Sequence, residues 1–263
     1  MTDDGKLTSL VLPAYNPGPG LRTTWERLQQ FLAMAPGRWE LLFVCDGCTD
    51  GTAERLQQWA RSYRDQVRVL SYHPNRGKGY AVRHGLAQAR GKWRLFTDID
   101  LAYSFDDVVR LATHLQSGAQ AVIASREHPQ SQIQVPAGLQ GYAYLRHLQS
   151  LLFSTLVRWL LPLNLRDTQA GLKGFSAEVV DQLIPHLHCR GFEFDCELLT
   201  GCVRLGIPVL EMPVLVRYDN DSSTTNWKRT LRMIRGLWQI RRNWKTLPPL
   251  PEPMSRKEWP RAA

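Results

Sequence analysis

The feature that most constrains this chain is a repeated order: a short, almost unbroken apolar run, a polar turn, then a stretch of helical periodicity. The apolar runs are Leu7–Leu12, Glu40–Val44, Val67–Ser71, Trp93–Thr97 and Ala119–Ala124. Helical patterns fill the gaps at Gly20–Met34, Thr52–Arg64, Tyr80–Ala89 and Phe105–Ser117, with Asp50, Thr52 and Ser104 placed to cap helix N-termini. Strands that are apolar on both faces and alternate with helices predict an α/β domain whose mostly parallel sheet is covered on both sides. In such a sheet, ligands bind beyond the carboxyl ends of the strands. At 263 residues the chain is long enough to bury a full core without disulfides or structural metal.

The strand-end segments carry polar residues of distinct kinds. Pro13-Ala14-Tyr15-Asn16 turns sharply after the first strand, and Tyr15 offers a flat wall for a base and ribose; an ordinary strand–helix turn has the same composition. Asp46-Gly47 follows the second strand, where Asp46 could accept a hydrogen bond from a pyrimidine N–H and Gly47 permits close approach. Asp50 suits a helix cap better than a ligand contact. Asn75-Arg76-Gly77-Lys78-Gly79 opens the third helix, and its glycines and lysine at a helix N-terminus suit an anion, although the spacing is not that of a Walker loop. Asp98-Ile99-Asp100 follows the fourth strand and supplies two carboxylates that can share a hard divalent cation with diphosphate oxygens.

The second half is less regular. Arg126–Gly138 is polar and without periodicity, and is expected to form a mobile loop. Tyr142–Leu163 is Leu-rich but interrupted by Arg146, His147 and Arg158, which makes it a poor bilayer span; a helix on a membrane surface and a buried core helix both fit. Leu172–Phe175, helices near Ser176–Ile184 and Phe194–Leu205, and a strand near Val209–Val216 complete the expected domain, taken as residues 1–225.

Charge is concentrated rather than spread. The net charge is +9, and residues 226–246 hold seven basic side chains (Lys228, Arg229, Arg232, Arg235, Arg241, Arg242, Lys245) and no acidic ones; taking these seven from +9 leaves +2. At helical pitch Trp227, Leu231, Ile234 and Trp238 share a face, which predicts a basic amphipathic helix lying on an anionic membrane surface; a helix packed on the domain with solvated charges is the alternative. The Pro-rich residues 247–263 are expected to form a loose tail. A pI near 9.6 alone would also suit a nucleic-acid binder, but strand-end carboxylates would repel phosphates, so no nucleic-acid partner is expected. The five cysteines (45, 48, 189, 196, 202) and the absence of a basic-then-apolar run at Met1–Lys6 suggest a reduced cytoplasmic setting. Cys45 and Cys48 have redox or metal-site spacing but no second ligand pair, and are taken as small strand-end residues.

In order along the chain, Leu12-Pro13-Ala14-Tyr15-Asn16, Asp46-Gly47 with Thr49-Asp50-Gly51-Thr52, Asn75 with Gly77-Lys78-Gly79, and Asp98 with Asp100-Leu101 resemble the family 2 glycosyltransferases of GT-A fold. Ser125-Arg126, Arg166-Asp167-Thr168-Gln169, Gly171-Leu172-Lys173-Gly174-Phe175 and Phe194-Asp195-Cys196-Glu197 resemble the dolichyl-phosphate glucosyltransferase and mannose synthase branch. The resemblance implies a Rossmann-like domain, with a donor half at 1–125 and an acceptor half at 126–225. It implies metal-dependent, inverting transfer of a hexose to a polyprenyl phosphate at the cytoplasmic face of a membrane. Glucose from UDP-glucose is the first choice; mannose from GDP-mannose, or a hydroxyl acceptor on a glycan or small lipid, are the alternatives. By the same resemblance Pro13, Ala14, Tyr15, Asp46, Gly77, Lys78 and Asp98 would hold the nucleotide sugar, and Asp98 and Asp100 would hold Mg²⁺ or Mn²⁺. Arg126, Arg146 and Asp167 would meet the acceptor phosphate, with Gln169 and Asp195 beside the reacting sugar. The sequence departs from the family's pattern at Pro17, Cys45 and Tyr142.

Overall fold

A computed structural model describes residues 7–134, 153–217 and 227–246. The strands are β1 Leu7–Ala14, β2 Arg38–Asp46, β3 Val67–Tyr72, β4 Trp93–Phe96, β5 Ala121–Ser125, β6 Gln132–Gln134, β7 Lys173–Ser176, β8 Val209–Pro213 and β9 Leu215–Arg217. The helices are α1 Gly20–Met34, α2 Thr52–Ala60, α3 Lys78–Gln88, α4 Phe105–Gln116, α5 over 153–160, α6 Ala177–Leu183, α7 Phe194–Arg204 and α8 Trp227–Thr246. Seven strands form one sheet in the order β3-β2-β1-β4-β7-β5-β8. The pairs are parallel except where β7 runs antiparallel between β4 and β5. β1 connects outward to β2 and β3 on one side, while β4 lies on its other side, so the strand order reverses between β1 and β4. The turns that leave these two strands therefore flank a crevice, the position where α/β sheets hold ligands.

The apolar runs become strands because burial on both faces favours them. Leu10, Val11, Leu12, Leu41, Leu42, Phe43 and Val44 are fully enclosed. One face of the sheet packs against α1, α2 and α4 through Leu21, Trp25, Leu28, Leu56, Val108 and Leu111. The other packs against α3, α5, α6, α7 and α8. Ser104 caps α4 as expected, its hydroxyl accepting from the Asp107 N–H.

The structure revises some expectations and decides between others. The polar segment after Arg126 contains β6, which pairs with β9 in a separate two-stranded sheet; the expected single strand over Val209–Val216 breaks at Val214 because its first part joins the main sheet and its second part joins β6. The helix of 52–64 ends at Ala60 and tightens into a 3₁₀ turn over Arg61–Tyr63. In the expected surface helix of 142–163, residues 142–152, Arg146 included, lie outside the described residues. The described part is a core helix: Val157, Leu160 and Leu161 are buried, and Trp159 is left 71% exposed. In α8, Leu237 and Ile240 are buried in the core, whereas Trp238 is 55% exposed. Leu237 and Ile240 thus dock α8 beside α7, as the alternative of a helix packed on the domain requires, while Trp238, on the face expected to meet a membrane, stays outside. The side chains of Trp227 and Leu231 lie outside the described set, as does the tail 247–263.

Candidate active site

The turns after β1 and β2 are knitted to each other. Asn16 takes a positive φ of 45°, and its side chain donates to Thr49 Oγ1 at 3.2 Å while accepting from Thr49 N at 2.8 Å. Asp50 accepts from Gly18 N and Thr52 N; the N-cap of α2 is Gly51 rather than Asp50 or Thr52, so the side-chain cap expected there does not form, and Asp50 instead braces the turn from one residue before. Pro13 and Ala14 are buried at the end of β1, and Tyr15 projects with 57% of its surface open. The open ring beside the crevice is what a base-stacking wall needs.

Asp46 is 3% exposed, and the carboxylate is engaged by its own protein. Oδ1 accepts from Arg76 N at 2.7 Å; Oδ2 accepts from Asn75 Nδ2 and Gly77 N, both at 2.9 Å. The chemistry suggested from sequence was acceptance from a base; the contacts present organise the Asn75–Gly77 turn. Gly47 likewise faces protein, since a Cβ there would fall 2.3 Å from Asn75 N.

The N-terminus of α3 departs from the anion-site expectation in the same way. Gly77 has φ 99°, and a Cβ on it would lie 2.4 Å from the Arg190 carbonyl oxygen. That oxygen accepts from Gly79 N at 2.8 Å and Tyr80 N at 3.3 Å, so two of the helix's first free N–H groups are already satisfied by the 188–193 loop. What faces the crevice is the Lys78 side chain. Its Nζ lies 2.5 Å from Asp98 Oδ1 and 5.4 Å from the centre of the Phe192 ring. Burial works against the ammonium charge, but Asp98, Asp195 and Asp100 outweigh it and hold the Lys78 pKa above its ordinary value.

Asp98 and Asp100 follow β4 on a tight turn. Leu101 N donates to the Asp98 carbonyl, Ala102 N donates to Asp100 Oδ1, and Leu101 is forced to φ 52°, an uncommon conformation for a side chain of its size. Enclosure by the crevice and the Asp98 charge push the Asp100 carboxyl above its usual range, with Lys78 opposing. A pair of carboxylates that repel each other, set i and i+2 on a constrained turn, fits a hard divalent cation. No cluster of three or more His, Cys, Asp or Glu side chains occurs among the described residues. A cation here would complete its shell with diphosphate oxygens and water, which suits Mg²⁺ or Mn²⁺.

Two buried ion pairs stand deeper. Arg126 grips Asp167 in a fork, Nε to Oδ2 at 2.6 Å and Nη2 to Oδ1 at 2.9 Å. Asp167 also accepts from Arg126 N and Gln169 N and is 2% exposed. Burial alone would raise its carboxyl; the Arg126 charge and hydrogen bonds outweigh that and hold it below the usual range. Arg126 and Asp167, both expected at an acceptor phosphate, are therefore brought together as partners of each other. Gln169 Nε2 reaches the Thr168 carbonyl and Cys196 Sγ. Asp195 is 4% exposed and its Oδ1 accepts from Lys173 Nζ at 2.6 Å, with the same ammonium donating to the Ala170 carbonyl. Lys173 is fully enclosed and was not singled out from sequence as a site residue, although its place in Gly171-Leu172-Lys173-Gly174-Phe175, inside an otherwise apolar strand, marked it as needing a partner.

Cys45 and Cys48 are buried free thiols, as are Cys189, Cys196 and Cys202. The Cys45 thiol beside Cys48 holds that group below its ordinary value, while Cys48 Sγ donates to the Ala14 carbonyl. They tie the ends of β1 and β2 together, in keeping with their reading as strand-end residues.

The chain is similar in sequence and in fold to known proteins. The glycosyl transferase family 2 model matches residues 9–184. Dolichyl-phosphate beta-glucosyltransferase of Saccharomyces cerevisiae is 33% identical over 256 residues, spanning 91% of this chain and 75% of that protein. The Homo sapiens enzyme of the same name is 31% identical, spanning 92% and 76%. Among solved structures, glucosyl-3-phosphoglycerate synthase from Mycobacterium tuberculosis with Mn²⁺, uridine diphosphate and product superposes with TM-score 0.60 at 21% identity, over 93% of this chain and 81% of that one. Mannosyl-3-phosphoglycerate synthase from Rubrobacter xylanophilus gives TM-score 0.64 at 18% identity, over 92% and 75%. At those identities the structural matches establish the shared fold.

Proposed function

The chain belongs to glycosyl transferase family 2, and on that footing we propose that it transfers glucose from UDP-glucose to a polyprenyl phosphate at a membrane surface. The observation that carries this reading is the match of about nine-tenths of the chain to proteins named dolichyl-phosphate beta-glucosyltransferase. The crevice between β1 and β4 supports it, with an open tyrosine ring on one wall and paired carboxylates on the other.

In this reading Tyr15 stacks against the uracil, and Asp46 keeps the Asn75–Gly77 turn in place beneath it. Asp98 and Asp100 hold a divalent cation, which when bound supplies positive charge to the departing diphosphate. Lys78 turns from Asp98 toward the same phosphate oxygens. The acceptor phosphate, ionised at neutral pH because its second pKa is about 6, needs no protein base. Attack of its oxygen on the anomeric carbon forms the new C–O bond as the bond to the diphosphate oxygen breaks, inverting the configuration. Catalysis then rests on positioning and on charge facing the leaving group. Asp195 is poorly suited to take a proton from a hydroxyl acceptor, because protonating it would break the buried contact with Lys173. That favours a phosphate nucleophile.

Membrane contact forms part of the proposal. No helix among the described residues is long and apolar enough to cross a bilayer. Trp159 and Trp238 are exposed, and Arg158, Arg235, Arg241 and Arg242 are exposed on the same two helices. Indole rings beside arginines suit an anionic lipid surface, each basic residue adding about 1 kcal/mol.

The test is a two-phase transfer assay with Mg²⁺ and polyprenyl phosphate, run separately with UDP-[¹⁴C]glucose and GDP-[¹⁴C]mannose. Acid-labile label in the organic phase from UDP-glucose is the expected result. Label from GDP-mannose alone would change the sugar. Donor hydrolysis without lipid label would move the acceptor to a hydroxyl.

A further inference from the structure

We propose that Glu193 is a positioning residue that links α8 to the donor side of the crevice, an inference that rests on the donor reading of Lys78 and Asp98. Glu193 is 8% exposed and lies between α8 and the loop that closes the N-terminus of α3. Toward the loop, its Oε1 accepts from Gly191 N at 3.1 Å. Toward α8, its side chain lies flat against Gly236: a Cβ on that glycine would fall 2.5 Å from Glu193 Cγ and 2.9 Å from its Cβ. The helix is held at this height by Leu237 and Ile240, both buried beside α7.

From Gly191 the contact runs on to the site. The neighbouring Arg190 carbonyl accepts from Gly79 N and Tyr80 N. Gly79 is pressed against this loop, since a Cβ there would meet the Gly191 oxygen at 2.6 Å and Phe194 Cβ at 2.5 Å. Phe192, on the same loop, places its ring 5.4 Å from Lys78 Nζ. The first turn of α3, which carries Lys78 to Asp98, is therefore fixed by a loop whose own position is set by Glu193, and Glu193 is in turn set by Gly236. Interiors packed this closely transmit displacement instead of absorbing it. A side chain added at Gly236 should tilt Glu193, release Gly191 and shift Lys78 relative to the donor phosphates.

The test combines donor kinetics with amide hydrogen exchange on the full chain, for Gly236→Ala, Glu193→Ala, Glu193→Gln and the double variant Glu193→Ala/Gly236→Ala. Gly236→Ala should raise the donor KM roughly tenfold, well inside the 10²-fold that a shift of about 1 Å can cost. It should leave kcat within about twofold and speed exchange at the Gly79 and Tyr80 amides. Glu193→Gln keeps the acceptor oxygen and the aliphatic contact, and should behave as wild type. In the double variant the Gly236 substitution should add clearly less than it costs alone, because the Cγ it strikes at 2.5 Å is gone and only the 2.9 Å approach to Cβ remains. Wild-type KM and exchange in Gly236→Ala, or fully additive effects in the double variant, would overturn the proposal. Should the wild-type protein transfer no sugar, the donor reading fails by itself, and the exchange rates still decide the contact: lost protection supports it and retained protection overturns it.

Discussion

Removing Asp167 is expected to destabilise this fold by several kcal/mol. Its oxygens receive four donors (Arg126 N, Nε and Nη2, and Gln169 N), and the side chain is almost wholly enclosed. Asp167→Ala would leave the half-buried Arg126 guanidinium without this countercharge and two backbone N–H groups without their acceptor. Breaking one side of a buried pair costs about 3–5 kcal/mol, against a total stability of about 5–15 kcal/mol for a domain. Replacing both partners, as in Arg126→Leu/Asp167→Leu, should cost less than either single change, because no uncompensated charge remains. The sign of the pH effect follows from the lowered carboxyl. A folded-state pKa below the unfolded one contributes stability that is complete above about pH 5 and fades as pH falls through the unfolded value near 3.9 toward the folded value. Urea unfolding at pH 7 and at intervals down to pH 3.5 would read both effects, the variant having lost this part of the acid dependence. A loss below about 1 kcal/mol for Asp167→Ala, or an unchanged acid dependence, would refute the claim that this pair locks the loop after β5 to the segment before β7.

Further expectations follow from neighbouring groups. Asp195→Asn should reduce lipid transfer only a few-fold if the acceptor is a phosphate, whereas loss of all activity in a folded protein would make Asp195 a base. Gly171→Ala should impair donor use and spare the fold, because a Cβ there would lie 2.3 Å from Asp98 Oδ2; unchanged donor KM would show that Asp98 can move at no cost. Cys48 should react with iodoacetamide before Cys189, Cys196 and Cys202, since Cys45 holds its thiol below the ordinary value while burial pushes those three up. Peptide mass mapping of partly alkylated protein checks this.

The strand–helix alternation made the first half of the chain legible, because strands buried on both faces must be apolar throughout and the turns between them must be polar. The same reasoning singled out Tyr15, Lys78, Asp98 and Asp100 at the strand ends, and the structure brings Lys78 to Asp98. Chain pattern alone could not reveal that β7 would enter the sheet antiparallel or that β6 would find β9, since both depend on pairing between segments about 80 residues apart. It also misjudged glycines. Gly47, Gly77 and Gly79 looked like room for a ligand, but each admits a neighbouring protein backbone. The partners of charged residues were equally hidden: Arg126, Asp167, Asp195 and Lys173 are recognisable as unusual in a sequence, but only folding shows that they neutralise one another in pairs. In α8 the helical period was legible, but the sequence did not single out Leu237 and Ile240 as the pair that docks the helix on the domain.

The assignment of chemistry to the turn after β4 is tested by lipid transfer with Asp100→Asn beside wild type, at saturating UDP-glucose, polyprenyl phosphate and Mg²⁺. The amide keeps the size of the side chain and removes the charge that would hold the cation, a contribution of several kcal/mol to the transition state. At least a hundredfold loss of acid-labile lipid product with an unchanged unfolding midpoint is the expected result. Transfer retained above a tenth of the wild-type rate would contradict a role for this carboxylate in the reaction.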